Sequence, residues 1–411
     1  MRLFYNIFIV AYRLSIGLAS FFDDKAALWV KGRRNIFAEI KSRLEPGGKT
    51  IWFHCASLGE FEQGRPLIER MKKQEPGTKI FLTFFSPSGY EIRKDYPFAD
   101  YIFYLPYDSP KNARKFIELV RPQMAIFVKY EFWFNYISEL KKRDIPLYLV
   151  SGVFREEHYF FKRWAWWQRK QLAKFNYFFL QDEKSKALLN TVGIHKALVA
   201  GDTRFDRVRE ILSETVDLPL IEKFMDNKKV LCAGSSWPPD EDIILNFLDK
   251  AKPDIKLIIA PHDISKKHID DILKKFEDYQ TVLYSDKGIG DDEYKNSKVL
   301  IINSIGLLNK LYRFADIAYV GGGFGLAIHN LLEAAVYGIP VVYGPKHRHF
   351  REAVELAENR GGFPIAGEED FLAIMDKLIS DKAFYKKNAL AAGNYIRENA
   401  GASEMILKEL L

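Results

Sequence analysis

Short apolar runs recur along the chain, separated by longer amphipathic stretches. In the first half they are Thr50–Cys55, Ile80–Phe85, Tyr101–Leu105, Met124–Val128, Leu147–Val150 and Tyr177–Leu180. In the second half they are Val230–Ala233, Leu257–Ala260, Thr281–Tyr284, Val299–Ile302, Ile317–Val320 and Val341–Tyr343. Strand candidates alternating with helical patterns predict parallel sheets with helices on both faces. At 411 residues the chain is too long for one comfortable core. The pattern therefore predicts an α/β protein of two Rossmann-like, doubly wound domains facing a central cleft, with ligands at the strand C-termini. The expected bounds are an N-terminal helix over 1–22, a first domain over 23–206, and a second over 207–411 that includes the terminal helices.

The stretch Ala318–Phe350 carries the densest signal. The apolar run Ile317–Val320 stops at Gly321, Gly322 and Gly323, and a helical pattern starting near His329 carries Glu333 early in its length. A further apolar run, Pro340–Tyr343, ends in Gly344-Pro345. Strand, glycine turn, helix and strand make a βαβ unit. Its glycines admit a ligand to the backbone, and the helix N-terminus offers N–H groups to a phosphate. An acid one turn in can accept from ribose hydroxyls. The pattern suits a nucleotide or nucleotide-sugar, although it is neither the spaced G-x-G-x-x-G nor a P-loop.

Before the first strand, Leu3–Phe22 is about a bilayer's worth of mostly apolar residues interrupted by Arg13. At about 100° per residue, Arg2, Asn6, Arg13, Gly17, Ser20 and Asp24 fall in one polar stripe, with Ser15 off it. A spanning helix would hold Arg13 at the bilayer centre, an in-plane helix can turn the stripe outward, and a helix docked on its own domain is the further alternative. Lys31, Arg33 and Arg34 follow, as befits anionic headgroups on the cytoplasmic side. A net charge of +7 also suits anionic partners. Because the charge is spread along the chain with no recognisable binding motif, nucleic acid is not among them. Cys55 and Cys232 lie far apart in apolar runs, which makes them small buried side chains rather than a disulfide or a metal pair.

Polar clusters sit at the predicted strand ends. His54–Glu60 follows the first strand and Lys129–Asn135 the fourth; Gly201–Asp206 lies between the halves; Ser235-Ser236 and Pro261-His262 end strands of the second half. Singly, each acid reads as a helix cap. Glu60 and Glu131 on crevice loops of the same half can divide base and electrostatic roles.

With these residues on the page, the chain resembles the 3-deoxy-manno-octulosonate (Kdo) transferases over nearly its whole length. The carriers are HCASLGE at 54–60, SPSGYE at 86–91, YLPYD at 104–108, EFWFN at 131–135, GDTRFD at 201–206, AGSSW at 233–237, LYRFADIAYVGGG at 311–323, HNLLEAA at 329–335 and GPKHRHF at 344–350. The resemblance implies a GT-B fold at the cytoplasmic face of the inner membrane, with acceptor binding in the first domain and CMP-sugar binding in the second. It implies transfer of Kdo from CMP-Kdo to the lipid A precursor, with inversion and without a metal ion or other cofactor. On the family's motifs, Glu60 becomes the proton acceptor, while Glu131 and Arg204 stabilise the transition state. The donor contacts fall on Pro261 and His262, on Ile305, Gly306 and Leu307, and on Asn330, Leu331, Leu332 and Glu333.

The chain departs from that pattern in places. Arg204 stands where many relatives have lysine, His262 where arginine is common, Leu307 where glutamate is frequent, and Lys129 where an acid is usual. The aromatic and basic run Phe154–Lys170 reads either as a lipid-facing segment or as a buried amphipathic helix. Two rivals remain open at this level: another GT-B enzyme acting on a UDP-sugar, and a membrane-docked scaffold with a vestigial crevice.

Overall fold

The computed structural model describes residues 1–45, 47–214, 217–251, 254–286, 288 and 290–411. They form two compact units, residues 1–207 with 400–411 and residues 208–399. The first unit begins with helices α1 (Arg2–Ala19), α2 (Asp24–Lys31) and α3 (Ile36–Arg43). Its sheet comprises β1 (Thr50–Cys55), β2 (Lys79–Phe84), β3 (Tyr101–Tyr104), β4 (Met124–Val128), β5 (Leu147–Gly152), β6 (Tyr177–Leu180) and β7 (Ala197–Val199). All paired strands are parallel, in the order β3-β2-β1-β4-β5-β6-β7.

The runs are apolar without alternation because both faces of the sheet are covered. Along β1, Ile51, Phe53 and Cys55 enter one core while Trp52 enters the other. Helix α4 (Leu58–Gln74) packs closely on β1 and β4, and at Gly64 a Cβ would stand 3.3 Å from the Cys55 sulfur and 3.2 Å from Val128.

The second unit repeats the plan with β8 (Lys229–Ser236), β9 (Ile255–Pro261), β10 (Thr281–Leu283), β11 (Val299–Ile301), β12 (Ile317–Val320), β13 (Val341–Tyr343) and β14 (Gly362–Pro364), in the order β10-β11-β9-β8-β12-β13-β14. The apolar pattern predicts all strands except β7 and β14. Each is a three-residue strand at a sheet edge, and β14 reads Gly-Phe-Pro, with a single apolar side chain between two turn-forming residues.

Three expectations change. The last helix, Ala402–Leu410, packs with the first unit and not with the second. Ile406, Leu407 and Leu410 join the core that holds Phe61 and Leu67. The Asp206 carboxylate accepts from the N–H groups of Gly401 and Ser403, both at 2.6 Å, and so caps that helix. The run Phe154–Lys170 is not one helix: a 3-10 turn at Tyr159–Phe161 precedes a helix at Trp166–Leu172. Trp167 packs on Phe134, whereas Trp164 and Trp166 are exposed.

The third change concerns α1, whose polar stripe faces its own domain. Arg2 donates to the Asn135 side chain (3.4 Å), whose amide donates to Asn6 (2.9 Å), and Arg13 donates to the Tyr107 hydroxyl (3.1 Å). The apolar side is left bare, with Leu3, Phe4, Ile7, Phe8, Leu14 and Leu18 all more than half exposed. The protein supplies complementary polar partners at Tyr107 and Asn135, so Arg2, Asn6 and Arg13 of the stripe are satisfied by docking. By length and composition α1 is the one helix among the described residues able to cross a membrane.

Buried Asp108 holds this joint together. Its carboxylate accepts from the Tyr5 hydroxyl (2.6 Å) and from the backbone N–H groups of Asn135 (3.0 Å) and Tyr136 (3.1 Å). Burial pushes the carboxyl up, to about 6, against the lowering by those donors. A carboxyl whose folded value lies above its unfolded one contributes fully below about pH 4, and that contribution is lost as pH rises through about 6. Thermal midpoints measured from about pH 5 to pH 7 should therefore decline more steeply in the wild type than in Asp108→Asn. Parallel slopes would show that this carboxyl does not titrate in the folded protein.

Candidate functional site

In the first sheet the chain runs from β1 outward to β2 and β3, then returns to the other side of β1 as β4. The neighbouring C-termini of β1 and β4 thus form the switch point at which loops diverge and leave a crevice. Glu60 lies in the first turn of α4 directly after β1, half-buried, and accepts a hydrogen bond from the Ser57 hydroxyl. Glu131 lies after β4, is only 8% exposed, and follows Lys129, whose φ of +67° is a left-handed value that lysine rarely adopts. Such strain next to a switch point marks a loop held in place by its surroundings.

The Glu131 carboxylate is fixed by two ring N–H donors. Trp133 Nε1 lies 2.5 Å away and His54 Nε2 lies 3.0 Å away. His54 is fully buried, and its Nδ1 meets the Thr83 hydroxyl at 2.9 Å, while Trp52 Nε1 donates to that same hydroxyl at 2.8 Å. With Nε2 carrying the proton, the imidazole donates to Glu131 and accepts from the Thr83 hydroxyl, and Trp133 Nε1, which lies 2.9 Å from Nε2, gives its own proton to the carboxylate. The charges of Glu60 and Glu131 both reach Cys55. Burial first, then those two carboxylates, pushes its thiol well up, which leaves Cys55 an inert thiol.

Arg204 is held from below. Its backbone N–H and its guanidinium both bond Asp202, at 2.9 Å and 2.7 Å, and the neighbouring Thr203 hydroxyl donates to the Gln63 carbonyl of α4 at 2.5 Å. The segment carrying Arg204 is therefore tied to the helix carrying Glu60.

The second sheet has its switch point between β8 and β12. Here Asp240 organises the loops. Its carboxylate accepts from Trp237 N (2.9 Å), Gly322 N (2.9 Å) and the Tyr319 hydroxyl (2.7 Å). At Gly321 a Cβ would stand 2.4 Å from the Ser235 carbonyl oxygen, and Gly322 has φ +90°. Close backbone packing thus demands these glycines, whatever ligand they also admit. The rings of Trp237, His262 and His329 stack in sequence, with centroids 4.8 and 4.5 Å apart, and Trp237 Nε1 donates to His329 Nε2 at 3.3 Å. Burial, then the neighbouring His262, pushes the His329 imidazole down, which favours its neutral, accepting form.

This stack joins Pro261-His262 to the segment beginning at His329. Asn330 donates from its side chain to Glu333 (2.9 Å) and accepts from Leu332 N (3.1 Å). Ile305 and Gly306 are exposed, and Leu307 is the residue before the short helix Leu308–Leu311, whose Leu308 packs where a Gly234 Cβ would be. Leu331 and Leu332 are fully buried, so their side chains belong to the core and a contact there would be through their backbone. One expectation needs correction. The helix expected from near His329 is the four-residue Leu332–Ala335, because His329 and Asn330 are held by the ring stack and the Asn330 turn. Sequence reasoning gave no separate role to His54, Trp133, Trp237, Asp240 or His329. All five lie in or beside the quoted motifs, but their partners are distant in sequence.

Two seven-stranded, doubly wound parallel sheets are the GT-B class of glycosyltransferase-like proteins. Among solved structures, UDP-GlcNAc 2-epimerase from Neisseria meningitidis shares this fold with a TM-score of 0.61 at 18% identity, covering 88% of this chain and 99% of that one. Residues 31–207 match the family model described as 3-Deoxy-D-manno-octulosonic-acid transferase (kdotransferase). Over that stretch the chain is similar to the Kdo transferases. It is 28% identical over 350 residues to the 3-deoxy-D-manno-octulosonic acid transferase of Aquifex aeolicus, covering 83% of this chain and 89% of that protein. It is 25% identical over 368 residues to a bifunctional glycosyltransferase/methyltransferase of Fusobacterium nucleatum, covering 85% of this chain but spanning only 56% of that relative's length.

Asp240→Ala should lower stability by roughly 2–4 kcal/mol, because it leaves buried donors at Gly322 and Tyr319 without an acceptor. Urea unfolding measures this, and an unchanged midpoint would show that the glycine turn holds itself.

Proposed function

We propose that the protein transfers Kdo from CMP-Kdo to the lipid A precursor, with inversion at the anomeric carbon and without a metal ion. The observation that carries the reading is the placement of Glu60 and Glu131 on neighbouring strand ends of the first unit, in a chain similar to the Kdo transferases. A sugar hydroxyl is a poor nucleophile. Glu60 takes its proton as the oxygen forms a bond to the anomeric carbon of Kdo, and the bond from that carbon to the CMP phosphate breaks with its electrons leaving on the phosphate. The fixed negative charge of Glu131 stabilises positive character at the anomeric carbon, and Arg204 stabilises the departing phosphate. Since Trp133 and His54 already orient Glu131, its charge needs no rearrangement during the reaction. Ser57 orients Glu60 in the same way.

On this reading the second unit holds CMP. The exposed edges of the Trp237, His262 and His329 stack and the Asn330–Glu333 pair supply a ring surface and polar groups for the nucleotide. The acceptor is a lipid, and α1 lies in the cytoplasmic interface of the inner membrane, its apolar face in the bilayer and its stripe against the domain. Lys31 and Arg34, both exposed, add attraction to anionic headgroups, whereas Arg33 is turned inward onto backbone carbonyls.

Glu60→Gln should keep CMP affinity and lower turnover by at least about a hundredfold, as loss of a general base does. Turnover of CMP-Kdo with lipid A precursor measures it, and near-normal rates would remove Glu60 from the role. Replacing Phe4, Phe8 and Leu18 together by serine should move the protein from membrane to soluble fractions while its unfolding midpoint holds, because these side chains are exposed. Continued full partitioning with membranes would place the anchor elsewhere.

A further inference from the structure

A cavity of about 940 Å³ lies among α1, α2, the start of α3 and the loop around Tyr107. That is within the range of about 300–1,000 Å³ typical of small-molecule sites. Neither Glu60, Glu131 nor Arg204 lines it. The rings of Trp29, Phe85 and Trp133, with successive centroids 5.7 and 4.6 Å apart, lie between its wall and Glu131.

The lining is one-signed. Arg13, Arg33, Arg34 and Lys115 contribute to it, and among the described residues no aspartate or glutamate does. Arg33 is the most telling of the four. Its guanidinium lies over the rings of Trp29 and Tyr104 and donates to the carbonyls of Leu105 (2.8 Å), Trp29 (3.0 Å) and Phe85 (2.6 Å). The ionisable groups that act on it are the hydroxyls of Tyr104, Tyr136 and Tyr12, with no carboxylate among them. An enclosed cation without a counter-charge is costly, and an anion in the adjoining space relieves that cost. A separate observation points the same way. Trp29 lines the cavity, is 6% exposed, and its indole N–H has no acceptor. Native proteins rarely leave such a donor unmet.

The remaining wall is apolar. Leu14 and Leu18 line the cavity and also belong to the bare face of α1, and the exposed Phe21 just past its end lines the cavity too, so the space is continuous with that face. A free phosphate would satisfy the cations and leave these side chains unused, whereas an amphiphile with an anionic head uses both. We propose that the cavity binds one anionic glycerophospholipid from the bilayer, with its phosphate beside Arg33 and the Trp29 indole N–H and among Arg13, Arg34 and Lys115, and an acyl chain along Leu14, Leu18 and Phe21. The site is apart from the transfer chemistry, and it stands or falls independently of which sugar the protein transfers.

The test uses the full chain, purified in a neutral detergent, stripped of lipid and titrated with phosphatidylglycerol or phosphatidylcholine, with bound lipid counted by native mass spectrometry. One phosphatidylglycerol per chain is expected, held at least about tenfold more tightly than phosphatidylcholine, since charge-assisted contacts to phosphate are the stronger ones. Gly17→Leu should abolish retention. A Cβ at that position meets nothing within 4 Å, so the variant fills the cavity without disturbing the backbone. Arg34→Gln with Lys115→Gln should erase most of the preference for phosphatidylglycerol while the circular dichroism and unfolding midpoint stay as in the wild type. Equal retention of the two lipids, or retention unchanged in both variants, overturns the proposal. So does inorganic phosphate binding as tightly as phosphatidylglycerol, which would make this a simple anion site. Stoichiometric displacement by purified lipid A precursor also overturns it, because the cavity would then hold the acceptor.

Discussion

The reversal of strand order beside the first strand of each sheet is the constraint on which the rest depends. A parallel strand must be followed by a crossover, and right-handed crossovers on opposite sides of a central strand force its C-terminal loop and its neighbour's to part. In the first unit those loops carry Glu60 and Glu131; in the second they carry Ser235–Trp237 and the glycine turn. Neither crevice is a decoration added to a finished fold. The backbone can close neither gap, and side chains of fixed geometry hold the edges: Trp133 and His54 on Glu131, and Asp240 on Gly322 and Trp237.

A second dependency runs from α1 to the same region. Asn135 ends the EFWFN segment that begins with Glu131, and its side chain contacts both Arg2 and Asn6. Asp108 joins Tyr5 to the backbone of Asn135 and Tyr136 through one buried carboxylate. Hydrogen bonds that satisfy the helix's polar stripe are thus the bonds that brace the start of the helix following Glu131. On the proposed reading, the element that meets the membrane and the loop that meets the sugar share a joint, which lets lipid contact and catalytic geometry be set by one piece of structure.

Much of this was legible in the sequence. Buried parallel strands leave runs of apolar residues, and glycines and acids after those runs flag the crevice loops, so the α/β class, most strands and the motif residues follow from pattern. The amphipathic N-terminal helix was equally plain, because a period of about 3.6 residues shows which residues share a face. Pattern does not show which face is outward. Arg13 is consistent with water outside or with Tyr107 inside, and only packing partners more than ninety positions away decide between them.

The same limit explains the other differences. The strand Gly362–Pro364 reads Gly-Phe-Pro, which carries turn residues and no apolar run, and Ala402–Leu410 joins the first unit through Asp206, nearly two hundred residues earlier. Leu331 and Leu332 stand inside a motif that suggests ligand contact, yet they are core side chains. Local sequence determined the elements, the residues at the strand ends and the family resemblance, because backbone propensity and burial act over neighbouring residues. Tertiary structure decided which polar atoms meet, which face of α1 is bare and where a one-signed cavity forms, because those depend on long-range pairings that no window of sequence contains.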